Sequence, residues 1–580
     1  MTATRVPRTV GISGPPTGSA TSVDFVPPDR WTRLRTRIAQ ARLDFAGLTT
    51  AVCFFCLSLT PSLLPRPWYL QGVVSGILTA TGYAVGVVVG WTVRPVARRP
   101  AARIGPDARR LAWRILCWTG AVLSALSLVQ GFRWQRDIHL LMGQRPPAGI
   151  GYLGVPLVAV GIFAPLVALA RLLRACAWAL VRVFGRWIPP VAARVAGVTG
   201  VTVLVVLLLQ GLVANGLMAV ANAGFGSLNT ETADGVARPT SATVSGSPDS
   251  LVPWASLGRW GRDFVATAPG PEDLSRFTGE PAIQPIRVYV GVDSAPTLRD
   301  QAALAVRELE RTGAFERAVL CVITTTGTGW VDRRSVVPLE YMYGGDSALV
   351  AVQYSFLPSA ISFLADRERV RQAGRELFDQ VYARWSRLPV GHRPKLLVFG
   401  ESLGSSGAES AFSGIDDLRN RTDGALFVGP PNGNPLWGEF VGRRDLGTRE
   451  IVPTYQNGAS VRFDGWPGDL ATPPSPWSTP RAVYLQHASD PVVWWSPRLI
   501  LHRPDWLAEP RGRDVLPAMR WYPFVPFWQL TADLVFANKA PPGHGHNYRG
   551  EAVDAWAQIV APPGWTTRRT AELRVRLGTR

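Results

Sequence analysis

Lysine is almost missing from this sequence. Of 61 basic residues only Lys395 and Lys539 are lysines; the rest are arginine, a bias that codon usage in a GC-rich genome produces and that carries no chemistry. Glutamate and lysine are both absent from the first 220 residues, which hold 23 arginines against five aspartates. The net charge of +19 therefore belongs almost entirely to that part, and the remainder is close to neutral. That distribution argues against a nucleic-acid binder, whose basic residues would mark a binding face. Cysteine is scarce too: Cys53, Cys56, Cys117, Cys176 and Cys321. Cys53 and Cys56 stand as a C-x-x-C without a second Cys or His pair at zinc spacing, so neither a disulfide framework nor a metal site is expected, and no cofactor is implied.

The long apolar runs are confined to the same arginine-rich part. Five stretches reach the roughly 20 residues needed to cross a bilayer, near 45–64, 70–93, 112–132, 151–171 and 195–218. The arginine-bearing stretch 172–190 reads as an amphipathic connector, with a short sixth span as the alternative. None of the five has a carboxylate or lysine at its centre, where a transporter or proton pathway needs one. With the N-terminus inside, the segments 1–44, 94–114 and 171–194 carry 19 arginines and the outer loops 65–69 and 133–150 carry four. Basic residues are retained on the cytoplasmic side, so five spans would place everything after residue 218 outside. No cleavable signal peptide is evident, because the first 44 residues are polar and long. Gly82, Gly86 and Gly90 share one helix face, which suits close packing in the bundle or, alternatively, a homo-oligomer contact.

Residues 219–280, rich in Ser, Thr, Gly and Pro, read as a linker. From residue 281 short β-branched runs alternate with helical periodicity. Strands are expected at 286–293, 318–325, 348–356, 395–400, 425–429 and 482–487, with amphipathic helices at 298–313 and 366–385. Such alternation implies a mostly parallel sheet covered by helices on both faces.

In such a sheet, chemistry gathers at the carboxyl ends of strands. The strand KLLVFG ends in Gly400-Glu401-Ser402-Leu403-Gly404, a G-x-S-x-G pattern followed by a helix. That context suits a strained turn presenting a serine nucleophile, with the Leu403 N–H behind it as an oxyanion donor. A second donor is expected from Thr326 or Gly327 in TTGTGW (325–330). The expected chain order is serine, acid, histidine. Asp490 follows a strand directly in HASDPVVWW (487–495). The base is expected at His546, where G-x-G-H resembles the base-bearing loop of such folds; His544 is its rival. His487, beside Asp490, is expected to support the catalytic residues or to line the substrate pocket. Trp494, Trp495, Trp521, Phe524, Phe527 and Trp528 are candidates for an acyl-binding pocket, or else a structural aromatic cluster.

Long motifs carry a broader resemblance: LTPSLLPRPW (59–68), SGSPDSLVPW (245–254), TTTGTGWV (324–331), GGDSALVAVQYSFLPS (344–359), GESLGSSGAE (400–409), GPPNGNPLW (429–437), HASDPVVWW (487–495) and GHGHNY (543–548). Together they resemble actinobacterial membrane-anchored α/β-hydrolase-fold proteins, which pair an N-terminal multispan domain with a hydrolase-like domain. The resemblance implies an α/β-hydrolase domain over 281–580 with Ser402, Asp490 and His546 as nucleophile, acid and base. It departs from common α/β-hydrolases in the long interval between Asp490 and His546, where RWYPFVPFW (520–528) reads as a lid or a membrane-facing wedge. The expected activity is that of a membrane-anchored serine hydrolase or acyltransferase acting on lipid or acylated envelope esters outside the cytoplasmic membrane. A non-catalytic protein binding lipid or a partner is the alternative.

Overall fold

The computed structural model describes residues 43–97, 105–208, 210–211, 215–358, 362 and 367–578. The basic segment expected over 1–44 lies outside the described residues except for its last two positions. Among the described residues six α-helices precede the C-terminal domain's first strand and its flanking segments: α1 (Phe45–Ser58), α2 (Trp68–Ala97), α3 (Pro106–Leu141), α4 (Val155–Phe184), α5 (Pro190–Leu207) and α6 (Asn215–Thr230). Four of them, α2 to α5, are long and apolar enough to cross a membrane.

The first expected span is the exception. α1 has 14 residues, about 21 Å at 1.5 Å per residue, and the prolines at 61, 65 and 67 stop it. The stretch 172–190, expected as a connector, continues α4 as far as Phe184, because residues 172–184 contain no proline or glycine. The polar stretch after 133 likewise stays helical to Leu141. Many apolar side chains of these helices point outward, Leu157 and Val160 among them, as lipid-facing side chains do.

Glycines set how the bundle packs. A Cβ on Gly82 would meet Phe54, and one on Gly86 would lie 1.9 Å from Thr50 Oγ1, so α1 and α2 run antiparallel in close contact. The Thr50 hydroxyl donates to Gly82 O (2.7 Å) across that contact. Gly72 abuts Val158 and Gly76 abuts Ile162, so α2 and α4 run in the same direction. Gly120 and Gly131 of α3 face Val52 and Leu59, and Gly197 of α5 faces Val181. The ends of α1, α3 and α5 therefore share one level with the starts of α2 and α4. Gly82 and Gly86 of the α2 stripe are thus in contact within the chain.

Residues 219–280 are folded rather than extended. Val252, Leu257, Phe264, Val265 and Leu274 join the main core, and Val244 bridges to Arg287. Their apolar positions are too thinly spread among Ser, Gly and Pro to show as a periodic pattern.

The C-terminal domain is built on seven strands: β1 (Ile286–Val290), β2 (Val319–Thr324), β3 (Ser347–Val352), β4 (Lys395–Glu401), β5 (Gly424–Val428), β6 (Val461–Asp464) and β7 (Arg481–Leu485). They pair all in parallel in the order β1-β3-β2-β4-β5-β7-β6. Every strand is buried almost throughout, as a sheet covered on both faces requires. β6 was not expected from the sequence: its four residues, Val-Arg-Phe-Asp, alternate like a half-exposed edge, yet Arg462 and Asp464 are buried. β4 occupies the centre, and its carboxyl end is where the chain turns into the next helix.

Candidate active site

The G-x-S-x-G turn links β4 to α7 (Leu403–Glu409). Ser402 has φ 55° and ψ −128°, a conformation that costs a non-glycine residue of order 1–3 kcal/mol and persists only where its surroundings enforce it. Those surroundings are close. A Cβ on Gly400 would lie 2.5 Å from Gly404 O, and one on Gly404 would lie 2.3 Å from Thr324 O. Both positions must be glycine for α7 to pack on β2 and β4. Ser402 N donates to Val428 O (2.8 Å), which ties the turn to the end of β5. The side chain of Ser402 stays half-exposed.

Asp490 lies five residues past β7, where it caps the short helix Pro491–Trp494 by accepting from Val492 N (2.8 Å). Its other oxygen, Oδ2, receives His546 Nδ1 at 2.7 Å and the Tyr548 hydroxyl at 2.7 Å. The carboxylate is fully buried. Burial alone would raise its pKa, but the His546 charge and these hydrogen bonds outweigh it and hold the group below the usual carboxylate range. With Nδ1–H donating to Asp490, the free lone pair of His546 is on Nε2. That Nε2 is buried and has no hydrogen-bond partner. The imidazole lies against Gly429, immediately after β5; a Cβ there would be 2.3 Å from His546 Cε1. Thus the end of β5 and the residue after it supply both the carbonyl that holds Ser402 and the glycine that seats His546.

Residues 286–573 match the alpha/beta-hydrolase family, and residues 59–269 match the alpha/beta-hydrolase family N-terminus. The chain belongs to that alpha/beta-hydrolase family. No curated protein and no solved structure matches it.

Within this alpha/beta-hydrolase domain the two histidine rivals separate. His544 Nδ1 faces Asp514 Oδ2 at 3.4 Å and makes no bond to Asp490. His487, expected either to support the catalytic residues or to line the substrate pocket, is 1% exposed and braces the loop that bears His546. Its Nδ1 bonds Gly545 O (2.8 Å), its Nε2 bonds Glu551 (2.8 Å), and its ring stacks on Tyr548 at 4.1 Å. Burial opposes its charge, yet the Glu551 carboxylate raises its pKa to about 9. Trp494, also expected in the pocket, is fully buried and donates to His487 O. Trp495 donates to Thr531 Oγ1, and Trp521 donates to Leu499 O. The insertion 520–528, read as a lid or wedge, docks on the membrane helices: Trp528 and Phe524 pack with Val74 and Leu78, while Phe527 stacks beside Trp495. The aromatic residues thus form structural clusters, because each indole N–H needs a fixed partner when half or wholly buried.

For the oxyanion, Leu403 heads α7, so its N–H has no acceptor inside the helix. The Thr326 N–H donates to Trp330 O (3.1 Å) and is occupied within its own loop. Gly327 lies in the same loop, which Gln353 holds through Thr328 O (3.0 Å).

Three participants lie inside the quoted motifs but were not singled out from the sequence. Tyr548 and Gly429 show only as an aromatic and a glycine in loops. Glu401, next to Ser402, is 7% exposed, and its Oε2 is buried without a partner. Burial first, and then the charges of Asp332 and Asp490, push its pKa well above the usual carboxylate range.

Proposed function

We propose that the protein is a serine hydrolase or acyltransferase working through an acyl-enzyme. The observation that carries this reading is the buried Asp490–His546 pair, whose Nε2 is unpartnered and whose ring lies against Gly429, next to the Val428 carbonyl that holds the strained Ser402 turn. Ser402 Oγ attacks an ester carbonyl while His546 Nε2 takes its proton, and the Leu403 N–H faces the developing oxyanion. Asp490 keeps Nδ1 protonated and stabilises the imidazolium. The tetrahedral adduct collapses with the proton passing from His546 to the leaving alcohol. Water or a second alcohol then releases the acyl group by the reverse steps.

The proposed substrates are lipid or acylated envelope esters met at a membrane surface, with the catalytic domain outside the cytoplasmic membrane. The helix directions support this orientation. The start of α3, with Arg109 and Arg110, and the α4–α5 connection, with Arg186, sit at the level opposite the one that meets the catalytic domain, as retention of arginine in the cytoplasm requires. A reporter active only in the cytoplasm, fused after residue 580, should stay silent.

The reading is tested by hydrolysis of a graded series of p-nitrophenyl acyl esters by the detergent-solubilised full chain. Turnover by the wild type that disappears in a folded Ser402→Ala variant is the expected result. Equal background rates for both proteins would contradict it. The engaged Thr326 amide favours one second reading, a non-catalytic domain that binds lipid or a partner, and that outcome would select it.

A further inference from the structure

The motif LTPSLLPRPW plays no part in the chemistry above, yet it is one of the most tightly held segments of the chain. It joins α1 to α2, and Leu63 and Leu64 lie in the main core of the catalytic domain. Its partner is Asp533, the last residue of α8 (Val525–Asp533), which belongs to the long insertion between Asp490 and His546. Asp533 accepts from Ser62 Oγ (2.5 Å), Leu63 N (3.2 Å) and Arg66 Nε (2.6 Å). Arg66 is 2% exposed and Asp533 is wholly buried. One turn earlier, Gln529 Nε2 donates to Thr60 O (2.8 Å), close to the end of α1.

Two routes lead from this junction to the base. Through the backbone, α8 runs directly into the turn Leu534–Lys539, and there Ala537 O accepts from His546 N (3.0 Å). Through packing, Leu64 lies beneath Gly545: a Cβ on that glycine would be 3.2 Å from Leu64 Cδ2 and 3.0 Å from Ala537 O. Gly545 has φ +55° and its O is the acceptor for His487. The residue before His546 is thus gripped by the membrane domain on one side and by His487 on the other.

We infer that the Leu59–Trp68 turn of the membrane domain positions the base-bearing loop, with Leu64 and Arg66 as positioning residues. The membrane bundle is then part of the active-site scaffold as well as an anchor. The long Asp490–His546 interval has a physical reason: it carries the helix that reaches the turn. The catalytic consequence rests on the proposed role of His546 as base.

The test uses the full chain in detergent with two readouts. Hydrogen–deuterium exchange of the 540–548 segment reports the coupling itself, whatever the activity. The rate and end point of fluorophosphonate labelling report its catalytic effect, because a misfolded fraction lowers the end point while misplacement of the base slows the rate. For Leu64→Ala and Arg66→Gln, exchange at 545 and 546 should accelerate. Labelling should slow about tenfold at an unchanged end point, a displacement of the base by a fraction of an ångström being sufficient. Leu64→Ile should restore both. Leu63→Ala, an equally buried change in the same turn, should leave the rate within about twofold if positioning rather than general stability is at stake. Unchanged exchange in Leu64→Ala and Arg66→Gln, or equal slowing in Leu63→Ala, would overturn the inference. A wild type that does not label would remove the proposed function, and the exchange result would still decide the coupling.

Discussion

Replacing Gly429 by alanine would place a methyl carbon 2.3 Å from His546 Cε1, 2.7 Å from Nδ1 and 2.9 Å from Tyr548 Cε2. An ordinary carbon contact needs about 3.5 Å, so the ring must retreat by about 1.2 Å. A shift of that size at a reacting group costs about 100-fold in rate, or about 2.7 kcal/mol of transition-state stabilisation at 1.36 kcal/mol per decade. The backbone adds a second effect: φ is +54° at this residue, where a side chain costs about 1–2 kcal/mol of stability. The assay is the second-order rate of fluorophosphonate labelling, paired with a thermal melt to show that the variant is folded. Gly433→Ala is the control in the same loop, since its nearest neighbour would be Arg367 Nη1 at 3.6 Å. A Gly429→Ala protein that melts cooperatively and labels within twofold of the wild type would refute the placement of His546 on β5.

Other perturbations follow from the same contacts. Asp490→Asn should slow labelling by roughly 1,000-fold or more, because Nδ1 loses the acceptor that fixes its tautomer; Tyr548→Phe, which removes one bond to Asp490 Oδ2, should cost about tenfold. For His487, the folded pKa of about 9 exceeds its usual 6.5. Its stabilising effect, on the order of 3 kcal/mol, is fully present below about pH 6.5 and is lost as pH rises through about 9. The melting temperature of the wild type should therefore exceed that of Glu551→Gln at pH 6 and converge with it above pH 9. In the bundle, Gly86→Leu should lower thermal stability sharply because Thr50 and Ala46 leave no room, whereas Gly161→Leu, with open space around it, should melt like the wild type.

Local signals in the sequence were enough for the parts of the fold that depend on neighbours in the chain. The apolar run of β4, the glycines flanking Ser402 and the helix after it mark the turn because each acts within a few residues of the next. Asp490 and His546 were legible through chain order and loop composition, though composition alone left His544 open; what separates them is the long-range contact of His546 with Asp490. Contacts between distant segments left no trace. Arg66 reads as one more arginine near a membrane and Asp533 as a helix residue, and nothing short of folding brings them to 2.6 Å. The same holds for His487 with Glu551 and for His546 on Gly429. Bulky aromatic residues misled in the opposite direction: Trp494 suggested a pocket wall and is a core residue. The first span was overcounted because hydropathy ignores prolines, which end α1 at Ser58.

The central claim is that Ser402 is a nucleophile served by His546. Fluorophosphonate labelling of the full-length, detergent-solubilised protein, followed by mass determination of the modified peptide, addresses it most directly. The account predicts an adduct on Ser402, absent in Ser402→Ala, formed far more slowly in His546→Ala and at nearly the wild-type rate in His544→Ala. A folded wild-type protein without an adduct on Ser402, or one whose labelling depends on His544 and not on His546, would contradict it.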